Sequence, residues 1–504
     1  MARQPASDRS KNGGGFRLPR GQVDRSEIRR KLSRLQAGGQ PTAIDMFSGC
    51  GGISLGAGLA GVRSLAGLDI DRPSMRSWWY NLNREKGLHL NWTPKSDVTD
   101  MSAAEALEQL KIDCGPQGVD LVVGGPPCQA YSRIGKGKLA SLQNEDHAHL
   151  SDGRGMLFEE FLRFVREIAP VGVLVENVPD AMNYGGKVIP AVICEALAKM
   201  GYRAHFTVLN SANYGVPQMR ERIFILALHE EVSEVPPPFP VPTHKITRDP
   251  DARLATHRIV KVVEDNPRWG VLPPMAGDGL PEAVSVGEAL GDLPMICSMD
   301  RKGGGLGCSD IRTGLPYGSP PSNEYQTLMR SWPGLPRRAL VDGNVLRDNP
   351  RDFPVFARMQ EGDQYPEARR IHEQLFMDEV ARLRAMGQRI GEGDPAWLTL
   401  RREMVPPYDD TKFESKWFKM RRDRPSRTVV AHLQMDTYSH IHYDSRQARA
   451  VTVREAARLQ SFPDGFSLLG SMKEGFRQVG NAVPPLMACH LTRALLAPLK
   501  VGGR

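Results

Sequence analysis

Pro126-Pro127-Cys128-Gln129 sets a potential nucleophile in a stiff loop. The preceding residues 118–125, Gly-Val-Asp-Leu-Val-Val-Gly-Gly, read as a short buried strand that ends in glycine. Open α/β sheets carry their chemistry on loops at the carboxyl ends of strands. There the two prolines fix the backbone and hold the cysteine out toward a cleft. A thiolate in that position attacks electron-poor carbon, whereas a thiol in the core is only a small hydrophobe. Cys128 taken alone does not separate the two.

A second cluster precedes it. Asp45-Met46-Phe47-Ser48-Gly49-Cys50-Gly51-Gly52 closes a first strand with a glycine-rich turn into a helix. Such glycines let a ligand approach the backbone and leave N–H groups at the helix start. Asp69 ends the next strand twenty residues beyond Gly49, the spacing at which a carboxylate takes ribose hydroxyls. Asp97, followed by Val98, could accept from an adenine amino group. The turn is not Gly-x-Gly-x-x-Gly, and no Gly-Lys-Ser/Thr grips a phosphate. An adenosine ligand without a pyrophosphate fits best, and S-adenosylmethionine is the commonest cofactor of that kind. The bland alternative is a tight turn beside unrelated surface acids.

Glu176-Asn177-Val178 follows another apolar strand, which brings a carboxylate to the sheet edge that holds Cys128. Gln218-Met219-Arg220-Glu221-Arg222 starts a strand whose alternation sets Arg220 and Arg222 on one face. Asn481 falls on the loop before a final helix. His440 and His442 alternate on an expected strand; a solvated strand face is favoured over a metal pair, and His147 and His149 read the same way.

These residues need a scaffold, and the pattern supplies one. Over residues 42–228 short β-branched runs at 43–47, 64–68, 119–123, 171–175 and 223–228 alternate with helical pattern at 158–168 and 189–200. Such alternation means βαβ units, an α/β fold with a parallel sheet covered on both faces. Residues 235–242, Val-Pro-Pro-Pro-Phe-Pro-Val-Pro, cannot enter a central strand, and the chain to about 420 is irregular, with one expected helix at 367–386. Order returns with an amphipathic helix at 452–460, opened by a Thr452–Glu455 capping box, and a last helix at 486–499.

Of the 504 residues, 40% are hydrophobic and 25% charged, a globular composition with no apparent bilayer span or signal peptide, so an intracellular, cytoplasmic protein is expected. Seven cysteines without a Cys-x-x-Cys pair argue against structural zinc and against a disulfide framework. The net charge of +8 is concentrated in Arg29, Arg30, Lys31 and Arg34 and again in Arg421, Arg422, Arg424 and Arg427. Such clusters suit a polyanion, although most basic clusters are solvated surface. Residues 1–38 read as a mobile basic arm with one short helix at 24–36.

The blocks 45–52, 126–129 with Tyr131-Ser132, 176–178, 218–222, Arg422-x-x-Pro425-Ser426-x-Thr428 and 480–484 resemble, in order, those of the cytosine-5 DNA methyltransferases. The resemblance implies a Rossmann-like, S-adenosylmethionine-dependent catalytic domain at 39–235 with a mostly parallel doubly wound sheet. It implies a smaller irregular target-recognition domain at 236–448 and a segment, 449–500, that packs back on the first. By the same resemblance Cys128 attacks cytosine C6, Glu176 steadies the ring at N3, Arg220 and Arg222 hold the base O2 and a phosphate, and Gln218 joins the catalytic set. Phe47, Gly49, Gly51, Asp69, Ile70, Asp97, Val98, Pro127 and Asn481 fall to the cofactor, and residues 130–155, with Lys136, Lys138 and Arg154, to a closing loop. The implied partner is double-stranded DNA with a specific cytosine site, bound by a monomer, beside a restriction endonuclease of the same site. Transfer RNA as substrate and a non-catalytic DNA-binding relative are the rival readings.

Overall fold

The computed structural model describes residues 16, 18–83, 97–109, 118–127, 157–182, 187–247, 260–297, 314–409, 412 and 414–499. Two compact units emerge: Met1–Tyr214, Glu221–Pro281 and Ala482–Arg504 contribute to the first, Gly215–Arg220 and Glu282–Asn481 to the second. The expected boundaries at 236 and 449 do not coincide with these. The proline tract stays with the first unit because Phe239 stacks on His205 with ring centroids 4.4 Å apart, and Tyr214 Oη donates to Pro240 O at 2.8 Å.

Six strands form the sheet of the first unit: β1 (Thr42–Met46), β2 (Arg63–Leu68), β3 (Leu121–Gly124), β4 (Gly172–Asn177), β5 (Tyr202–Asn210) and β6 (Glu221–His229). Their order is β2-β1-β3-β4-β6-β5. β1 to β4 pair in parallel, and only β6 runs against its neighbours. Every residue of β3 and β4 is buried, which is what a parallel sheet flanked by helices demands. The order reverses at β1, so the ends of β1 and β3 flank the switch point of a Rossmann-like, doubly wound fold. β5 is an addition to the expected strands.

Helices α1 (Arg25–Gln36), α2 (Gly52–Leu59), α3 (Arg72–Leu82), α4 (Ala103–Gln109), α5 (Leu157–Ile168) and α6 (Ile189–Lys199) complete most of this unit. α1 is the short helix expected at 24–36. Asp24 caps it, and Ile28, Lys31 and Leu35 are buried. Lys31 Nζ donates to Ile168 O at 2.6 Å and Ala169 O at 3.0 Å, closing the carboxyl end of α5. Burial pushes the Lys31 ammonium down to about 8. Arg34 pairs with the buried Asp120, Arg29 with Glu231 at 2.9 Å and Arg30 with Glu27 at 2.8 Å. The basic cluster is therefore matched by internal acceptors.

The second unit contains α7 (Val286–Leu290), α8 (Glu324–Arg330), α9 (Phe353–Arg358), α10 (Tyr365–Ala385), α11 (Pro395–Met404), α12 (Val453–Leu459) and α13 (Met472–Asn481), with a two-stranded ribbon of β7 (Leu315–Pro316) and β8 (Leu340–Val341). It is more helical than its composition suggested. α12 has its Thr452–Glu455 capping box, but every residue in it is buried, so it is not amphipathic toward solvent. Its charges face partners instead: Arg458 meets Asp292 at 3.0 Å and Asp464 at 2.6 Å, and Glu455 meets Arg449 at 2.7 Å. His440 and His442 are likewise buried, not on a solvated strand face. His440 Nε2 lies 3.1 Å from Arg427 O, and His442 Nδ1 accepts from Asp444 N at 3.1 Å.

α14 (Pro485–Leu496) returns to the first unit and lies against α2. The approach is close enough that a Cβ on Gly52 would stand 2.1 Å from Val483 O, and one on Gly56 2.2 Å from Pro485 O. Met472–Leu499 has the length and hydropathy of a membrane span, yet it is the two helices α13 and α14, whose apolar residues are mostly buried.

Candidate active site

The end of β1 turns through three left-handed residues in five: Phe47 (φ 55°), Gly49 (φ 53°) and Gly51 (φ 101°). For Phe47 that conformation costs about 1–3 kcal/mol and persists only where neighbours impose it. Here Ser48 N donates to Leu68 O at 3.1 Å, and Gly49 N donates to Asp69 Oδ2 at 2.8 Å. Asp69 Oδ1 accepts Asp71 N at 2.7 Å, so this carboxylate braces the turn it was expected to accompany. A Cβ on Gly49 would meet nothing within 4 Å, and Ile70, next to Asp69 in sequence, is 76% exposed.

Asp97 Oδ1 accepts the backbone N–H and hydroxyl of Thr99, at 3.0 and 2.7 Å. Val98 is buried, and Arg163 Nη2 donates to its carbonyl at 2.7 Å. Asp45 lies deeper. Its Oδ2 accepts Ser54 Oγ at 2.7 Å and Ser54 N at 3.2 Å, and burial pushes its carboxyl up to about 7. Burial also pushes up the Cys50 thiol inside the turn.

The end of β3 stands next to β1 on one side and β4 on the other, with Gly124 opposite both Met46 and Val175. Asn177 Nδ2 donates to Pro126 O at 3.3 Å, which ties the proline loop to the end of β4. A Cβ on Gly125 would stand 3.0 Å from Glu176 Oε2, so glycine leaves this carboxylate its room. Arg222, from the adjoining strand β6, places Nε 3.0 Å from Glu176 Oε1. Pro127 is described; Cys128, residues 130–155, His147 and His149 lie outside the described residues.

Arg220 does not share the face of Arg222, because β6 begins only at Glu221. It is buried within the second unit, where its guanidinium donates to Val429 O at 2.8 Å and Gly480 O at 3.3 Å. Gln218 is a strut of the same unit: Nε2 donates to Leu459 O at 2.9 Å, and Oε1 accepts Val429 N at 2.9 Å. Thr428 Oγ1 donates to Met219 O, so the 218–220 and 426–429 segments run together. Asn481 is the exposed last residue of α13 rather than part of a loop.

The model of the C-5 cytosine-specific DNA methylase family matches residues 42–272 and 347–497. The chain belongs to that family. Over 468 residues the methylase is 39% identical to a protein of Oceanobacillus iheyensis assigned as type II methyltransferase M.OihORF3336P, covering 92% of this chain and 96% of that one. It is 29% identical to the type II methyltransferase M.AgeI of Thalassovita gelatinovora, covering 91% and 99%. A prophage-encoded DNA modification methyltransferase from E. coli shares the fold of the methylase at a TM-score of 0.55 and 21% identity, covering 91% of this chain and 99% of that chain. α1 precedes the matched region, and residues 273–346 fall between its two parts.

One pair of residues in the methylase escaped the sequence reading. Trp78 of α3 is fully buried against the glycine turn, and its Nε1 donates to Ser54 Oγ at 3.0 Å. Helical tryptophans usually mark core, and nothing in the sequence distinguished this one.

Proposed function

We propose that the methylase transfers a methyl group from S-adenosylmethionine to C5 of a cytosine turned out of duplex DNA, through attack of Cys128 on C6. The observation that carries this reading is the Glu176–Arg222 pair, set at the strand ends to which Asn177 ties Pro126. The turn suits the cofactor. Gly49 faces open space, Ile70 offers an exposed apolar surface, and Asp69 and Asp97 offer carboxylates for ribose and adenine. Phe47, Gly51, Val98, Pro127 and Asn481 join them on the strength of the family blocks.

When bound, S-adenosylmethionine supplies an electrophilic methyl on a sulfonium. Cytosine C5 becomes nucleophilic enough to take it once the Cys128 thiolate has added to C6. Glu176 steadies N3 and the exocyclic amine while charge develops in the ring. Arg222 holds that carboxylate in place, and Arg220 and Gln218 hold the backbone at 429. Loss of the C5 proton then expels Cys128. Turning the base out costs a few kcal/mol, recovered in part by contacts that residues 130–155 would make on closing. Base reading falls to the region 236–448, in the major groove. The type II names of the relatives support a marking role at a short site, beside an endonuclease of the same specificity.

Sequencing of 5-methylcytosine in DNA from cells that express the chain, beside a Cys128→Ser control, tests this reading. Methylation at one short motif, absent from the control, is expected. Methylation confined to transfer RNA, or retained by the Cys128→Ser control, would overturn it.

A further inference from the structure

We infer that Trp78 is a positioning residue for the cofactor turn: the indole is the mould against which Phe47–Gly52 takes its shape. This rests on the assignment of that turn to S-adenosylmethionine. Trp78 is wholly buried, and its ring lies against two glycine backbones at once. A Cβ on Gly51 would stand 2.7 Å from Trp78 Cδ1, and one on Gly67 2.6 Å from Trp78 Cε2. Gly51 is the N-cap of α2, and Gly67 lies in β2 two residues before Asp69. The indole therefore fills the space between the turn and the strand that delivers the bracing carboxylate.

Its polar edge continues the connection. Trp78 Nε1 donates to Ser54 Oγ at 3.0 Å, and Ser54 Oγ donates to Asp45 Oδ2 at 2.7 Å. Each hydrogen in this relay has one direction, from α3 through α2 to the end of β1. Asp71 caps α3, Gly52 opens α2 and Phe47 follows β1. The turn holds three left-handed residues, and two of its amides, Ser48 N and Gly49 N, bond outward to Leu68 O and Asp69, so its shape depends on the strand it is pressed against. Phenylalanine would fill only part of that space and leave Ser54 Oγ without its donor.

Calorimetric titration with S-adenosylhomocysteine reads this directly on the full chain. Trp78→Phe is expected to weaken binding about tenfold, with duplex-DNA affinity measured without cofactor within twofold of wild type. Ser54→Ala, which keeps the indole and removes only the relay, is expected to weaken it by a smaller factor. Trp78→Phe binding as tightly as wild type would overturn the inference, as would equal losses of melting temperature, DNA affinity and ligand affinity in both variants. A wild-type chain that binds duplex DNA but no S-adenosylhomocysteine would instead overturn the cofactor assignment beneath it.

Discussion

Arg222 Nε sits 3.0 Å from Glu176 Oε1, and each side chain keeps only 12% of its surface exposed. Among the described residues Arg222 is the charged partner that fixes the rotamer of this carboxylate, and a shorter side chain could not reach it. Glu176→Asp and Arg222→Met should each lower single-turnover methylation by on the order of a hundredfold, with melting temperature little changed. Near-wild-type rates in Arg222→Met would show that the pair is structural.

Lys31 closes the end of α5 from inside the fold. Lys31→Met keeps the stem but leaves Ile168 O and Ala169 O without a donor, a loss of about 1–3 kcal/mol. Denaturant titration should show that loss, whereas the salt dependence of DNA binding should be unchanged. A flattened salt slope would instead restore the α1 region to the DNA-binding surface.

Burial holds His440 and His442 down to about 4, against 6.5 in an unfolded chain. Between those values the unfolded chain binds protons that the native chain refuses, so the stability present above 6.5 is lost as pH falls toward 4. Asp45, raised to about 7, contributes with the opposite sign over much of that range. Urea midpoints should drop from pH 6.5 to 4.5, and more shallowly in His442→Gln.

Arg458 is buried between Asp292 and Asp464. Arg458→Met leaves Asp292 with Arg330 and Asp464 with the Tyr317 hydroxyl but removes the cation between them, and removal of one partner of such a buried cluster costs about 3–5 kcal/mol. Arg446→Ala, which breaks only the exposed pair with Asp444, should leave the denaturation midpoint where it is. Equal effects would mean that the Arg458 cluster is solvated.

The sheet was legible because β3 and β4 carry continuous apolar runs that end at distinctive residues, and β1 runs straight into the glycine-rich turn. β5 was missed although Tyr202, Ala204, Phe206 and Val208 alternate with Arg203, His205 and Thr207; it is a half-polar strand rather than a continuous apolar run. In the second unit the short helices carried local signals that composition hid, such as the Ser285–Glu288 capping box of α7 and the Asn323 cap of α8. Charge was misread where it was matched within the fold. Arg454, Glu455 and Arg458 look like a wet helix face, and so does Arg34, until Asp292, Asp342 and Asp120 arrive from distant parts of the chain and Asp464 from just beyond the helix. The site blocks were recognisable as words, but the division of labour between Arg220 and Arg222 depends on where β6 begins.

The contact of Gly52 and Gly56 with Val483 and Pro485 joins a helix near the start of the chain to one more than 400 residues downstream. During synthesis α2 waits for almost the whole polypeptide before its packing partner leaves the ribosome. A chain interrupted before Val483 lacks the surface against which Gly52 and Gly56 of α2 pack. An amino-terminal fragment alone therefore leaves α2 without the helix it packs against most extensively.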